Sequence, residues 1–309
     1  MKMRFDKVLS CQEIYANGDE LATIMGYDRD ADGNRVRSYP ESSEVYVTTI
    51  DDPVLVTDHH KISQLDPIER DTVFALLGSP VRYTVFDDTS LRFEQGRYPG
   101  LWGPSIDTLL FAKGLAMTDL QGVKEAVEVG SGSGFISKYL LEHSPDLERM
   151  TLVDLDPTAM LCAQENIDDM RTRYVTGDAT KSMGEERYDL IVCNPPYIPR
   201  RSSIDDNPYE GTGLLSYLLD NAHQLLEPGG SIITNISSLC RPHMDIEGRY
   251  PSLHVDEITS MDVPLKVYNV LNDTGWREYL VDGGFIEEGL RDGYHYWQNI
   301  SINRITPVG

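Results

Sequence analysis

From about residue 104 the chain alternates short apolar runs with stretches whose apolar residues recur at helical spacing. Pro104–Met117 carries a helical pattern, AVEVG (126–130) is a short apolar strand, and a glycine turn leads into a helix over Phe135–His143. Strand MTLVD (150–154), helix Pro157–Asn166, strand RYVTG (173–177) and strand DLIVCN (189–194) follow. A helix over Leu214–Leu226 ends in Glu227-Pro228-Gly229-Gly230 before strand SIITNIS (231–237). Beyond a 28-residue stretch (238–265) come a helix around Gly275–Val281, strand FIEEGL (285–290) and a long strand YWQNISINRI (296–305). Apolar strands of this length separated by helices predict a mostly parallel sheet covered on both faces. The short link between the last two strands predicts antiparallel pairing at the edge. The expected fold is a doubly wound α/β domain with a seven-stranded sheet over residues 99–309.

Residues 1–98 read as an N-terminal extension that could dock a substrate or cover a site. A weak helical pattern lies at Gln12–Met25. Asp66-Pro67-Ile68-Glu69 places an acid at the N-cap, proline at N1 and an acid at N3, a helix start. VRYTVFD (81–87) and LRFEQGRY (91–98) flank Asp88-Thr89-Ser90 as a predicted hairpin. YDRDADGN (27–34) spaces Asp28, Asp30, Asp32 and Gly33 as a calcium loop does, but the twelfth position is Tyr39 where a bidentate Glu is required, so a turn is expected.

The chain has 309 residues with 50 acidic and 27 basic side chains, a net charge of −23. Binding a phosphate backbone depends on Lys and Arg displacing counterions, and the nearest approach to a basic block is Arg200-Arg201. Nucleic acid is thereby disfavoured as partner, which leaves a protein or a small molecule. No run approaches the roughly 18 apolar residues of a membrane span, and MKMRFDKVLSCQEIYANGDEL lacks a secretory h-region, so a soluble, cytoplasmic chain is expected. Cys11, Cys162, Cys193 and Cys240 are dispersed without CxxC spacing, as reduced thiols are, and His59-His60 shows no metal-ligand spacing.

In doubly wound sheets ligands bind beyond the carboxyl ends of the strands where strand order reverses. The first strand ends Glu128-Val129-Gly130-Ser131-Gly132-Ser133-Gly134, a GxGxG turn. It is neither a GxGxxG dinucleotide fingerprint, because position 135 is Phe, nor a P-loop, because no GK[ST] follows. Asp154 closes the next strand, where a carboxylate can accept both hydroxyls of a ribose; Asp156 is better placed as N-cap of the following helix. The third strand ends Thr176-Gly177-Asp178-Ala179, where an acid can accept from an adenine amine and the next N–H can donate to a ring nitrogen. In this order the features describe a pocket for an adenosine lacking phosphates.

The fourth strand ends Cys193-Asn194-Pro195-Pro196-Tyr197. Two prolines remove two donors and stiffen the corner, so the Asn194 side-chain oxygen and the Pro195 carbonyl can accept both hydrogens of a planar NH2 group while Tyr197 lies against it. With EVGSGSG, Asp154 and Asp178, this NPPY resembles the class I S-adenosylmethionine-dependent methyltransferases with a Rossmann-like fold. More narrowly it resembles the HemK-like branch and the adenine-N6 methyltransferases, over residues 100 to 305. LWGPSIDTLLFAKGL (101–115) resembles the helix before the glycine turn in HemK-like enzymes, and EGTGLL after NPPYIP fits the glutamine methyltransferases. The resemblance implies S-adenosylmethionine as cofactor: Glu128, Gly130, Gly132 and Gly134 at its methionine end, Asp154 on its ribose, Asp178 and Ala179 at its adenine, Asp107 and Thr108 closing over it. Asn194, Pro195 and Tyr197 would hold the target nitrogen, Asn194 also bordering the cofactor.

The resemblance implies N-methylation of a planar amide or amine, such as a protein glutamine side chain. Three alternatives stand beside it: adenine N6 in RNA or DNA; a small-molecule reaction, including cyclisation of the cofactor's aminobutyrate arm; and a non-enzymatic binding protein on a retained fold. Residues 1–98 do not resemble the helical docking domain of the bacterial release-factor enzymes, and 238–265 is longer than that branch has.

Overall fold

The computed structural model describes residues 27–29, 35–37, 82–93, 97–98, 101, 103–104, 106–183, 186–198, 211–240, 245–265, 274–291 and 294–308. The helices expected at 12–25 and from Asp66, the His59-His60 pair and the Arg200-Arg201 pair lie outside the described residues.

Two small antiparallel hairpins precede the main sheet: β1 (Tyr27–Arg29) with β2 (Arg35–Arg37), and β3 (Arg82–Phe86) with β4 (Thr89–Phe93). The first brackets the acid-rich segment, with Asp28 opposite Val36 in its ladder; the turn expected between its strands lies outside the described residues. In the second, the turn falls at Asp87-Asp88, earlier than the expected 88–90, because Phe86 pairs Thr89 and Asp87 adopts φ 48°, the left-handed conformation a two-residue turn demands and Asp tolerates.

The chain then runs α1 (Ile106–Ala116), β5 (Glu125–Val129), α2 (Phe135–His143), β6 (Arg149–Asp154), α3 (Pro157–Asn166), β7 (Thr172–Thr176), α4 (Ala179–Ser182), β8 (Tyr188–Cys193), α5 (Gly213–Asp220), α6 (Ala222–Leu225), β9 (Leu226–Ser237), α7 (Ile246–Arg249), β10 (Leu253–Pro264), α8 (Thr274–Asp282), β11 (Glu287–Arg291) and β12 (Tyr294–Pro307). The sheet order is β10-β12-β9-β8-β5-β6-β7, with β11 also on β12. Strands β9 through β7 are parallel, whereas β12 is antiparallel to β9, β10 and β11.

Three expectations need correction. The sheet has eight strands rather than seven, because the stretch 238–265 contributes β10, an edge strand paired along β12. The pairing of the last two strands is antiparallel as expected, but β12 is interior, between β9 and β10. The helix expected over 214–226 is two, broken at Asn221, whose φ/ψ of −109°/9° is not helical and whose side chain donates to the Tyr217 carbonyl at 2.8 Å.

Alternation along the central strands sorts side chains to two cores. Ala126, Met150, Leu152, Leu190 and Val192 face α1 and α2, packing with Leu110, Phe111, Phe135 and Leu140. Val127, Val129, Val153, Ile191 and Cys193 face α5 and α6, packing with Leu215, Leu218 and Leu225. The β3–β4 hairpin belongs to the first core: Phe86, Leu91 and Phe93 are at most 2% exposed within it, Phe86 meets Tyr139 edge-on at 5.8 Å, and the Arg92 N–H donates to Asn166 at 3.0 Å. Residues 82–93 therefore cover α2 and α3 as part of the α/β body. Among the described residues no helix is long and apolar enough to cross a membrane.

From β5 the chain steps to β6 and β7 on one side, then returns to β8 and β9 on the other. Strand order reverses between β5 and β8, where Val129 is the register partner of Cys193. This places the tips of the first and fourth parallel strands side by side, at the position where such folds bind ligands.

Candidate active site

The turn after β5 is shaped by three left-handed glycines, Gly130, Gly132 and Gly134, with φ of 71°, 51° and 81°. Gly130 and Ser131 donate to the Val153 carbonyl at 2.8 and 3.2 Å, tying the turn to β6. A Cβ on Gly130 would meet only Leu214 Cδ2, at 3.9 Å. Gly134 differs: it is the N-cap of α2, and a Cβ there would lie 3.0 Å from Ala163 Cβ and 3.1 Å from Ile167 Cδ1. It lets α2 and α3 approach, whereas Gly130 and Gly132 border a cleft with Gly103, Pro104, Thr108, Ser131, Ser133, Glu128 and Asn194. The Ser131 hydroxyl is buried there without a hydrogen-bond partner among the described residues.

Asp154 lies under the turn. One oxygen accepts the Gly132 N–H at 2.8 Å, the other the Asp156 N–H at 2.9 Å, and the Leu155 N–H also donates to this carboxylate, which thereby fixes the loop. Burial raises its pKa in spite of those donors. Asp156 caps α3, accepting from Thr158 N at 2.8 Å with Pro157 at N1, as expected from sequence.

Glu128 occupies an inward position of β5 where the neighbouring residues are apolar. It is 2% exposed, and its Oε2 accepts both the backbone N–H of Ser137, at 2.9 Å, and the Ser137 hydroxyl. Desolvation pushes its pKa up to about 8 against those two donors, so the cleft floor is a protonated carboxyl at neutral pH.

At the tip of β8 the Asn194 amide donates to Asp107 Oδ2 at 3.1 Å, and its Oδ1 accepts from Asn235 Nδ2 on β9. Asp107, in the first turn of α1, is 7% exposed and sits behind Asn194, while its neighbour Thr108 faces the cleft. Pro195 is buried. Tyr197 is half-buried where all three apolar clusters meet, the third comprising Leu239, Leu265, Trp276, Leu280, Phe285 and Ile286. Its hydroxyl is bonded to Gln298, whose Oε1 accepts Ser237 Oγ at 2.6 Å, and burial holds it protonated well above the ordinary 10. The ring thus braces the proline corner, and the cleft wall is Asn194 itself.

Asp178 and Ala179 stand at the tip of β7, outside the cleft lining. Asp178 is the N-cap of α4: Oδ1 accepts the Thr180 N–H at 3.0 Å and hydroxyl at 2.7 Å, and Lys181 Nζ lies 3.0 Å from Oδ2, which together hold its pKa below the usual carboxylate value.

Of the residues singled out in the sequence, Thr108, Glu128, Gly130, Gly132 and Asn194 share one cleft; Asp107, Asp154 and Gly134 support it from behind; Pro195 and Tyr197 form the adjoining corner; Asp178 and Ala179 stand beyond the rim. Sequence reasoning missed Asn235 and Gln298. Polar residues inside an otherwise apolar strand, as in SIITNIS, were the available signal.

Residues 106–251 match the family model of the methyltransferase small domain. The release factor glutamine methyltransferase of Bordetella pertussis is 30% identical over 177 residues, 51% of this chain and 64% of that protein. The tRNA1(Val) (adenine(37)-N6)-methyltransferase of Tolumonas auensis is 30% identical over 37% of this chain and 52% of its own length, and human methyltransferase HEMK2 is 32% identical over 34% and 52%. In each case the chain spans less than two thirds of the relative. Both branches suggested by NPPY are represented.

Proposed function

We propose that the chain is an S-adenosylmethionine-dependent N-methyltransferase whose acceptor is a planar amide or amine nitrogen, such as a protein glutamine side chain. The observation that carries this reading is the juxtaposition of Asn194 with the glycine turn across one cleft at the strand-order reversal.

The cleft suits the cofactor. Gly130 and Gly132 present backbone without a Cβ, the Ser131 hydroxyl awaits a partner, and Glu128 can become the counter-ion of an ammonium group. Glu128, Gly130 to Ser133 and Thr108 would hold the methionine end. Asp154 would use on the ribose the acceptor capacity that its three backbone donors leave, and Ala179 with Asp178 would lie beside the adenine. When bound, the cofactor supplies a methyl group already activated by its sulfonium.

The chain's own task is therefore positional. An amide lone pair is delocalised into its carbonyl. Acceptors at Asn194 Oδ1 and the Pro195 carbonyl would hold both N–H hydrogens and favour a nitrogen with more localised electrons, at near-attack distance. Asp107 and Asn235 hold the Asn194 amide, and Tyr197 holds the corner. Removing one such preorganised group costs roughly 100- to 1,000-fold in turnover. Asn194→Ala is expected to lose that much while S-adenosylmethionine affinity changes by no more than about twofold; full turnover would refute the nitrogen clamp.

A second reading, adenine N6 of RNA, is supported by the tRNA-modifying relatives and opposed by the −23 charge. Transfer of tritiated methyl groups into a protein extract against bulk RNA separates them: label in protein supports the first, label in RNA alone the second.

A further inference from the structure

We infer that Asn235 is a positioning residue that sets which way the Asn194 amide faces; this rests on the reading of Asn194 as the nitrogen clamp. An asparagine side chain can present either its oxygen or its NH2 to a given neighbour, and only its partners decide. Here a carboxylate decides at one end. Asp107 can only accept when ionised, so Asn194 turns its NH2 toward it. The Asn194 oxygen then meets the NH2 of Asn235. The three side chains form a directed relay from β9 through the tip of β8 to α1, and reversing any one amide would set like atoms against each other.

Asn235 is costly in its place. It is fully buried between Ile233 and Ile236, which pack into the two main cores, and its own oxygen has no hydrogen-bond partner among the described residues. A β-branched apolar residue would suit this strand interior better. What Asn235 supplies that such a residue would lack is a donor aimed at Asn194 Oδ1. With that donor in place, Oδ1 keeps one lone pair directed away from Asn235, and that lone pair is the one available to a target N–H. The relay also explains why the strand next to β8, rather than a loop, controls the site: β8 and β9 are register partners up to Cys193 and Thr234, so residue 235 lies beside residue 194 in a rigid ladder.

The test uses the full-length protein, S-adenosylmethionine and a protein extract as acceptor, with NMR of the 15N-labelled side-chain amides. Asn235→Asp is nearly isosteric but replaces the donor by a group that donates only when protonated. The titratable groups around Asn194 are Asp107 behind it, Glu128 across the cleft and Tyr197 at the corner; they are common to both proteins, so the ratio of variant to wild-type turnover reports the introduced carboxyl together with its coupling to them. At pH 8 that ratio is expected to be about 10- to 100-fold below one, with cofactor affinity within about twofold of wild type, and to climb as the pH is lowered toward 6. A ratio near one at every pH overturns the inference. Should Asn235→Asp fail to fold, the wild-type protein decides: the Asn194 amide pair, assigned by its disappearance in Asn194→Ala, is expected to be rigid and to shift in Asn235→Ala, whereas a mobile pair, or one unmoved in that variant, overturns it. Full activity of Asn194→Ala would instead remove the clamp reading; loss there with an active Asn235→Asp removes only the role of Asn235.

Discussion

The buried Glu128 makes the stability of this fold depend on pH in a way that can be isolated. Its carboxyl titrates at about 8 in the folded chain, against an ordinary 4.5, because desolvation outweighs the two donors from Ser137. The raised value means that the folded state binds the proton more tightly than the unfolded state. The contribution of Glu128 is therefore fully present below about pH 4.5, declines as the pH rises, and is lost once the pH passes the folded value near 8. At about 1.36 kcal/mol per pH unit the whole window is worth at most roughly 5 kcal/mol. Water entering the cleft reduces this, so about 2–5 kcal/mol is expected. In Glu128→Gln the side-chain oxygen still accepts from Ser137, but the titration is gone. Urea unfolding of both proteins from pH 5 to 9 gives the difference in free energy directly, and groups not coupled to Glu128 cancel; Asp154 and Cys193, which feel its charge, are included in the difference. The variant is expected to gain on wild type steadily between about pH 5 and 8 and to hold a constant advantage above that. A difference that stays flat across the range would show that Glu128 is ionised throughout, and would refute the argument from burial.

The same carboxyl predicts proton release. Seating the cationic methionine end of S-adenosylmethionine against Glu128 favours its ionised form, so at pH 7 calorimetry in buffers of different ionisation enthalpy should register nearly one proton liberated by wild type and none by Glu128→Gln. Gly134→Ala combines φ 81° with a Cβ contact of 3.0 Å to Ala163 and is expected to cost about 1–3 kcal/mol by urea unfolding; an unchanged midpoint would show that α2 and α3 part freely. Phe93→Ala removes a fully buried ring from the core shared by the hairpin and α1, with an expected loss of about 3–5 kcal/mol. A loss well under 1 kcal/mol would mean that the hairpin contributes little to the α/β body.

Strands β5, β6, β8 and the second half of β9 were legible because each is a short apolar run buried on both faces, whereas β7 is an edge strand with no fully buried residue. Helices α2 and α3 were legible because a glycine turn and an Asp-Pro cap mark their starts. β10 was not legible. LHVDEITSMDVP mixes polar and apolar residues, as an edge strand does, and its ladder partner β12 lies some forty residues onward, beyond any local pattern. The break at Asn221 was equally hidden, since the apolar positions of α5 and α6 continue through it. In the site, the glycine turn and Asn194 followed from strand-end placement, whereas the part given to Glu128 came with the family resemblance. Asp178 shows the limit of that reasoning: a strand-end acid preceding a helix serves the helix as a cap, and sequence does not say how much of the carboxylate is left over. Tyr197 was expected against the target; what sequence could not show is that its half-buried ring also packs against three apolar clusters and that its hydroxyl meets Gln298. Asn235 went unseen because its meaning depends on β8 and β9 being neighbours in the sheet, which their order along the chain does not state.

The most direct test of the account is a crystal structure of the chain with S-adenosylhomocysteine. Electron density for the nucleoside is predicted along the tips of β5 and β6, its amino acid portion between Glu128 and the Gly130–Ser133 backbone and its sulfur within methyl-transfer reach of Asn194. Density at any other location, or an unaltered cleft at saturating ligand, would contradict it.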